Sequence, residues 1–222
     1  MGIWQSTLAK AVTLSGIGVH SGKAVTITLR PAAPNTGVVF QSAEKTEQLP
    51  AIIARLADTE LAVTIGTKDS LNVSTIEHLM ATFSGLGVDN VLVEIHGNEV
   101  PILDGSAMPI VEAIDEAGIM AQSAPRRVIE VLKPVRIDNG HQWAELTPYD
   151  GFAVDIDIDF RHAAINRQRL VLDITPQNFR KEIASARTFG FMQDAVRLRA
   201  AGFGLGASTH NTVILSEDGV LN

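Results

Sequence analysis

The stretch Ser74-Thr75-Ile76-Glu77-His78-Leu79-Met80-Ala81-Thr82-Phe83-Ser84-Gly85-Leu86-Gly87-Val88-Asp89-Asn90-Val91-Leu92-Val93-Glu94-Ile95-His96 decides the fold class. Ile76, Leu79, Met80 and Phe83 recur at i, i+3, i+4 and i+7, which predicts a helix over about 75–86 with one apolar face. Gly85 and Gly87 read as its stop signal. Residues 90–96 form a strand by composition. Asp104-Gly105 makes a turn, and 107–117 reads as a second helix ending at Gly118. Upstream, the alternation over 24–30 suits a half-buried strand, and 61–65 is another candidate. Strands followed by helix, strand and helix give an α+β unit.

Ala121-Gln122-Ser123-Ala124-Pro125 reads as a linker, dividing the chain into 1–124 and 125–222. Beyond it the strands restart at 128–137, 142–146 and 152–159. The last of these alternates apolar residues with Asp, so one face should be buried and the other strongly acidic. Helices follow over about 176–185 and 192–201, then a strand over 212–215. The halves repeat in architecture and not in residues: two sheet-plus-two-helix units of similar plan, with the helices packed between the sheets. The second unit reads as incomplete, because a helix closes the first and none follows Leu215 before Asn222. Such a unit leaves part of its sheet uncovered and favours self-association.

Composition narrows the function classes. The 222 residues carry 18 Lys and Arg against 25 Asp and Glu, a formal charge of −7 that argues against nucleic acid as the main partner. Cysteine is absent, which excludes disulfides, thiolate nucleophiles and Cys-ligated metals; any metal must be held by His, Asp or Glu. Met1-Gly2-Ile3-Trp4-Gln5-Ser6 shows no export signal. The uncharged run 200–216 holds Gly, Ser, Thr, His and Asn, so no membrane span is expected. A cytoplasmic protein is the resulting reading.

Chemistry-bearing motifs are sparse. No two of His20, His78, His96, His141, His162 and His210 stand three or four apart, and metalloprotease, phosphate-loop and serine-hydrolase signatures are missing. Gly202, Gly204 and Gly206 follow a helix and read as a stop leading into a loop. The pair Glu77-His78 in a first helical turn suits metal-assisted hydrolysis, His78 holding the metal and Glu77 taking a proton from water. Ser74-Thr75-Ile76-Glu77 is equally a capping box, which accounts for Glu77 without any chemistry. Ser106 suits an N-cap. Arg187 and Thr188, flanked by aromatics between two helices, suit a pocket wall or a packed loop; a Thr hydroxyl there can donate to an oxyanion.

Taken in order, several segments resemble the zinc-dependent UDP-3-O-acyl-N-acetylglucosamine deacetylases of lipid A synthesis. They are Ser15-Gly16-Ile17-Gly18-Val19-His20-Ser21-Gly22, Ser74 to Ala81, Gly85-Leu86-Gly87-Val88-Asp89-Asn90 and Val100-Pro101-Ile102-Leu103-Asp104-Gly105-Ser106-Ala107. Asp159-Phe160-Arg161-His162, Ala186-Arg187-Thr188-Phe189-Gly190-Phe191 and Gly202-Phe203-Gly204-Leu205-Gly206-Ala207-Ser208 complete the set. The resemblance implies a site between two α+β halves and hydrolysis of the acetamido group of a UDP-linked acylated glucosamine, releasing acetate. It implies zinc held in part by His78, Glu77 as general base and Thr188 as oxyanion donor. Phe160 would stack the uracil, with Phe189 also against substrate, and Ala195, Gly204, Ser208, Thr212 and Ile214 would line the acyl passage. His20 looks close to the cleft, without an assigned role.

The departures carry expectations of their own. The family's other zinc ligands, a His and an Asp, belong to a helix with no counterpart up to Asn222, its general-acid His lies further on still, and one His with one Glu is short of the three protein ligands of catalytic zinc. The 222-residue form is therefore expected to be inactive or nearly so. The polar run Ser208-Thr209-His210-Asn211-Thr212 departs from an apolar passage. The alternative is a non-catalytic relative that binds a UDP-sugar, an acyl chain or a protein partner.

Overall fold

A computed structural model describes residues 3–222 and shows an α+β fold. Met1 and Gly2, part of the N-terminal reading above, lie outside the described residues. The first half runs β1 (Trp4–Leu8), β2 (Val12–Ile17), β3 (Ala24–Pro31), β4 (Val38–Ser42), β5 (Gln48–Pro50), β6 (Leu56–Asp58), β7 (Thr64–Gly66), β8 (Asn72–Val73), α1 (Glu77–Leu86), β9 (Val91–His96), α2 (Met108–Ala117) and β10 (Ile119–Pro125). Its main sheet has the order β2-β3-β9-β4-β5, antiparallel except where β4 runs parallel to β9. Period-two alternation puts Val25, Ile27 and Leu29 of β3 and Val91, Val93 and Ile95 of β9 on one buried face. Leu79, Phe83 and Leu86 of α1 and Ile110, Val111 and Ile114 of α2 belong to the same core. The opposite face is held by cross-strand polar pairs, Thr13–Thr28 at 3.0 Å, Ser15–Thr26 at 2.8 Å and Arg30–Glu94 at 3.2 Å.

Two glycines expected to stop α1 act differently. Gly87 ends it with a left-handed backbone (φ 74°), as a C-terminal cap should. Gly85 lies inside the helix, where a Cβ would strike the ring of Phe179 from the second half, so its missing side chain seats that ring. The expected linker is also corrected. Residues 121–125 belong to β10, which pairs antiparallel with β1 through Ser6↔Ala121 and Trp4↔Pro125. Arg126 then bonds Asp89 at 2.8 Å and the Gly87 carbonyl at 2.5 Å.

The second half continues with β11 (Val135–Asp138), β12 (Trp143–Leu146), β13 (Ala153–Phe160), β14 (Asn166–Asp173), the short α3 (Pro176–Asn178) running into a wide turn at Phe179–Ile183, β15 (Phe189–Phe191), a tight turn at Met192–Asp194, α4 (Ala195–Ala200), β16 (Val213–Ser216) and β17 (Gly219–Val220). The helices expected over 176–185 and 192–201 are thus each broken into a short α-helix and a turn of different pitch. β11–β12 and β13–β14 are separate hairpins, and β15-β16-β17 is a small mixed sheet. Beyond residue 125, only Ile174, Phe179, Ala184 and Leu215 are buried apolar side chains among the described residues, and Phe179 and Ala184 join the first half's core.

The alternation of β13 therefore does not produce the buried face expected of it, since Ile156 is 50% exposed. Its acidic face is answered instead by β14, with Asp155–Arg169 at 2.6 Å and Asp157–Arg167 at 2.7 Å. Those Arg neighbours hold both carboxyls below their usual range through hydrogen bonding. Ile137, Trp143 and Val171 are 74%, 60% and 62% exposed, so the hairpins carry an uncovered apolar surface. Among the described residues no helix is long and apolar enough to cross a membrane.

This division sets a stability contrast. Phe83→Ala should lower the unfolding free energy by about 3–5 kcal/mol, and Ile137→Ser should change it by less than about 0.5 kcal/mol. Urea denaturation of both variants checks this; equal losses would mean that the hairpin is packed in solution.

Candidate active site

The site is built at the entry to α1. Ser74 docks on the segment that follows β9: its N–H donates to the Asn98 carbonyl at 3.0 Å and its own carbonyl accepts from Val100 at 3.0 Å. Thr75 follows in the left-handed region, φ 58°, and is buried. Ile76 then caps the helix with no side-chain bond, its N–H reaching the Val63 carbonyl at 3.3 Å. The Val63 N–H returns a bond to Glu77 Oε2 at 3.0 Å. Ser74 and Glu77 do not close a capping box: the Ser74 hydroxyl donates to Asn98 and Glu77 is held by Val63. A carboxylate at a helix N-terminus is also favoured by the helix dipole.

Glu77, His78 and Thr188 line one cavity of about 170 Å³. Burial pushes the His78 imidazole below its usual range, against the opposing pull of the Glu77 and Asp104 charges, so the neutral ring is favoured. Asp104 is fixed by accepting from the Ser106 N–H at 2.9 Å and hydroxyl at 2.8 Å. Ser106 supports α2 as expected of a cap, its hydroxyl accepting from the Met108 N–H at 3.1 Å, although Ala107 holds the cap position. Thr188 is pinned on both sides, its N–H donating to Gly105 at 2.8 Å and its carbonyl accepting from Val213 at 2.9 Å. Arg187 faces away and ties Asp104 to Thr209 through backbone carbonyls at 2.9 and 3.2 Å.

Phe189, Gly204 and Thr212 line the same cavity. Phe160 lies behind it, its ring edge-on to Phe189 at 5.4 Å and 6.1 Å from Phe191. Ala195 opens α4, Ser208 sits in the loop before β16, and Ile214 lies within β16; none of the three reaches the cavity wall. His20 does reach it, and its Nδ1 is buried with no hydrogen-bond partner among the described residues. A polar group of a bound molecule would satisfy it. Leu61 and Thr75 also line the cavity, and both have positive φ without being glycine. No periodicity in the sequence marks either, and Thr75 is held by a side-chain bond to Glu99, 24 residues away.

A second, larger cavity of about 260 Å³ opens beside Gln5, Asn35 and Asp89. Its polar side chains are engaged with one another and with backbone, Gln5 to Asn35 at 3.0 Å and Asn90 to Gln5 at 2.9 Å, which makes it a structural junction. Among the described residues, no group of three His, Asp or Glu side chains stands ready to hold a metal. His78 is one donor where catalytic zinc takes three from protein, so these residues do not fit zinc by themselves.

The loop from Gly204 to Thr212 closes the cavity. Leu205 and Gly206 donate to the carbonyls of His20 and Val19, each at 3.0 Å, and buried Asn211 braces the loop through Gly206 at 3.0 Å and Ser208 at 2.8 Å. The polar run at 208–212 thus has a structural use as the brace of this loop.

A family model described as UDP-3-O-acyl N-acetylglycosamine deacetylase matches residues 5–222. Proteins named UDP-3-O-acyl-N-acetylglucosamine deacetylase from Brucella ovis and Brucella melitensis biotype 2 are each 44% identical over 220 residues, covering 98% of this chain and 77% of theirs.

The loop closure is testable without a ligand. A Cβ at Gly206 would overlap the Gly18 carbonyl oxygen, backbone against backbone. Gly206→Ala should cost about 1–3 kcal/mol of stability. Gly190→Ala, whose Cβ would meet only Thr212 at 3.8 Å, should change stability by less than about 0.5 kcal/mol. Thermal unfolding of the two variants decides it; a neutral Gly206→Ala would mean the loop stands away from the 17–22 turn.

Proposed function

The chain belongs to the UDP-3-O-acyl N-acetylglycosamine deacetylase family, and from that membership we propose that its cavity takes UDP-3-O-acyl-N-acetylglucosamine and serves removal of the N-acetyl group as acetate, in lipid A synthesis. The observation that carries the reading is the convergence of Glu77, His78 and Thr188, from distant parts of the chain, on one cavity. Amide hydrolysis needs a base for water and a donor for the developing oxyanion. One oxygen of Glu77 is occupied by the Val63 N–H. The carboxylate takes the proton of the attacking water as the water oxygen bonds to the acetyl carbon. The C–N bond then breaks, and the leaving nitrogen recovers that proton. Thr188, immobilised at both backbone groups, donates its hydroxyl to the carbonyl oxygen. Phe189, Gly204 and Thr212 wall the substrate. Phe160 takes the uracil ring, and Ala195, Ser208 and Ile214 continue the acyl passage beyond the cavity.

Zinc is the metal that the resemblance implies, with His78 as one donor. Because the described residues do not supply a three-donor set, the 222-residue chain by itself is read as a weak zinc binder with little turnover. The same shortfall favours a second reading, in which the chain binds a UDP-sugar or acyl chain without hydrolysing it.

Zinc titration by calorimetry, beside His78→Ala, separates these accounts from their rivals. Weak binding that His78→Ala leaves unchanged is the expected result; tight stoichiometric binding lost in His78→Ala would mean that other residues complete the site. Acetate release from the UDP-linked substrate should be small, and whatever is measured should fall about 10²-fold or more in Glu77→Gln. Unchanged release in that variant would remove Glu77 as the base, and failure to bind both the UDP-sugar and an acyl chain would overturn both readings.

A further inference from the structure

Glu99 is a buried carboxylate, 3% exposed, in the segment that follows β9. No Lys or Arg pairs with it among the described residues. It is balanced entirely by neutral donors: Oε1 accepts from the His20 N–H at 2.8 Å and the Thr75 hydroxyl at 3.2 Å, and Oε2 from the Ser21 N–H at 2.9 Å. Gly18 completes the cradle, since a Cβ there would collide with the carboxylate. Burying a charge is costly unless its hydrogen bonds are met, so all three donors are required where they stand.

Two of the three donors, His20 and Thr75, line one cavity from different segments, and Ser21 adjoins His20. His20 lies on the β2–β3 turn, while Thr75 is the residue from which α1 turns Glu77 and His78 inward; all four line the cavity. Thr75 holds a left-handed conformation that a β-branched residue adopts only under constraint. Its hydroxyl bond to Glu99 supplies that constraint from the side chain.

We infer that Glu99 is a positioning residue of this site: its carboxylate joins the His20 turn to the Thr75 turn and so sets where Glu77 and His78 stand relative to the opposite wall. The inference rests on Glu77 and His78 being the working groups, but its test reads geometry and not turnover. Failure here leaves the acetate-release result standing, and failure there leaves the coupling standing.

The experiment is heteronuclear NMR of the full 222-residue chain carrying Glu99→Gln, with Leu29→Ala as a core variant that destabilises without touching the site. At a temperature where both are folded, Glu99→Gln should speed exchange of the His20 and Ser21 amides by about tenfold or more. It should also displace the imidazole signals of both His20 and His78, which Leu29→Ala should leave in place. Thr75→Val, which removes the hydroxyl at constant shape, should displace the His78 signals, and Thr75→Ser, which retains it, should restore them. The inference is overturned if the imidazole signals stay at their wild-type positions in Glu99→Gln, or if Leu29→Ala moves them equally. Should Glu99→Gln not fold, Thr75→Val decides alone, and unmoved His78 signals reject the coupling.

Discussion

Thr75 enters helix α1 from the left-handed region, a conformation costing on the order of 1–3 kcal/mol for a residue other than glycine. Around it the chain supplies bonds in three directions. Ser74 is paired with Asn98 and Val100, the Thr75 hydroxyl meets Glu99, and Ile76 with Glu77 closes a reciprocal pair with Val63. Remove the twist and α1 could still bury Leu79, Phe83 and Leu86 against the sheet, but its first turn would point elsewhere. The core fixes the helix axis; the strained residue fixes which side chains face the cavity.

That distinction explains what was legible in the sequence. The apolar spacing of α1 and α2 and the alternation of β3 and β9 report burial, and burial is the large, non-directional term that local pattern encodes well. Ser74-x-x-Glu77 has the residues of a capping box, yet both side chains are bonded to segments far off in sequence, which no four-residue motif can register. Residues 121–125 have the small, polar composition of a linker. They form a strand because their partner is β1, more than a hundred residues upstream. The broken helices of the second half have a related cause. The wide turn at Phe179–Ile183 is set by a distant partner, since Phe179 and Ala184 are drawn into the first half's core, whereas Met192–Asp194 has no buried residue to enforce a single pitch.

Two kinds of signal in the sequence mark the site. Glu77-His78 is chemically suggestive but equally satisfied as a capping motif, and only the family resemblance joins the pair to Thr188 across the chain. Phe189, Gly204 and Thr212 share their cavity, while Phe160 reaches it only through the ring of Phe189. His20 sat within a recognisable glycine-bearing segment without a role; its unpartnered Nδ1 becomes visible only when burial is known. Glu99 carries no motif at all. An isolated acidic residue between Asn98 and Val100 resembles a solvated surface position until its three donors are seen.

The paired charges of β13 and β14 bear on how that hairpin knows its own alignment. In a half-buried strand pair, shifting one residue turns the apolar set outward, and loss of burial forbids the slip. Here the apolar side chains are largely in water already, so that penalty is weak. What distinguishes the correct alignment is the diagonal matching of Asp155 with Arg169 and Asp157 with Arg167, exposed pairs that are individually weak and further weakened by salt. The ribbon is thus indexed by its electrostatics, and ionic strength, which leaves the main core indifferent, sets how firmly its two strands keep step.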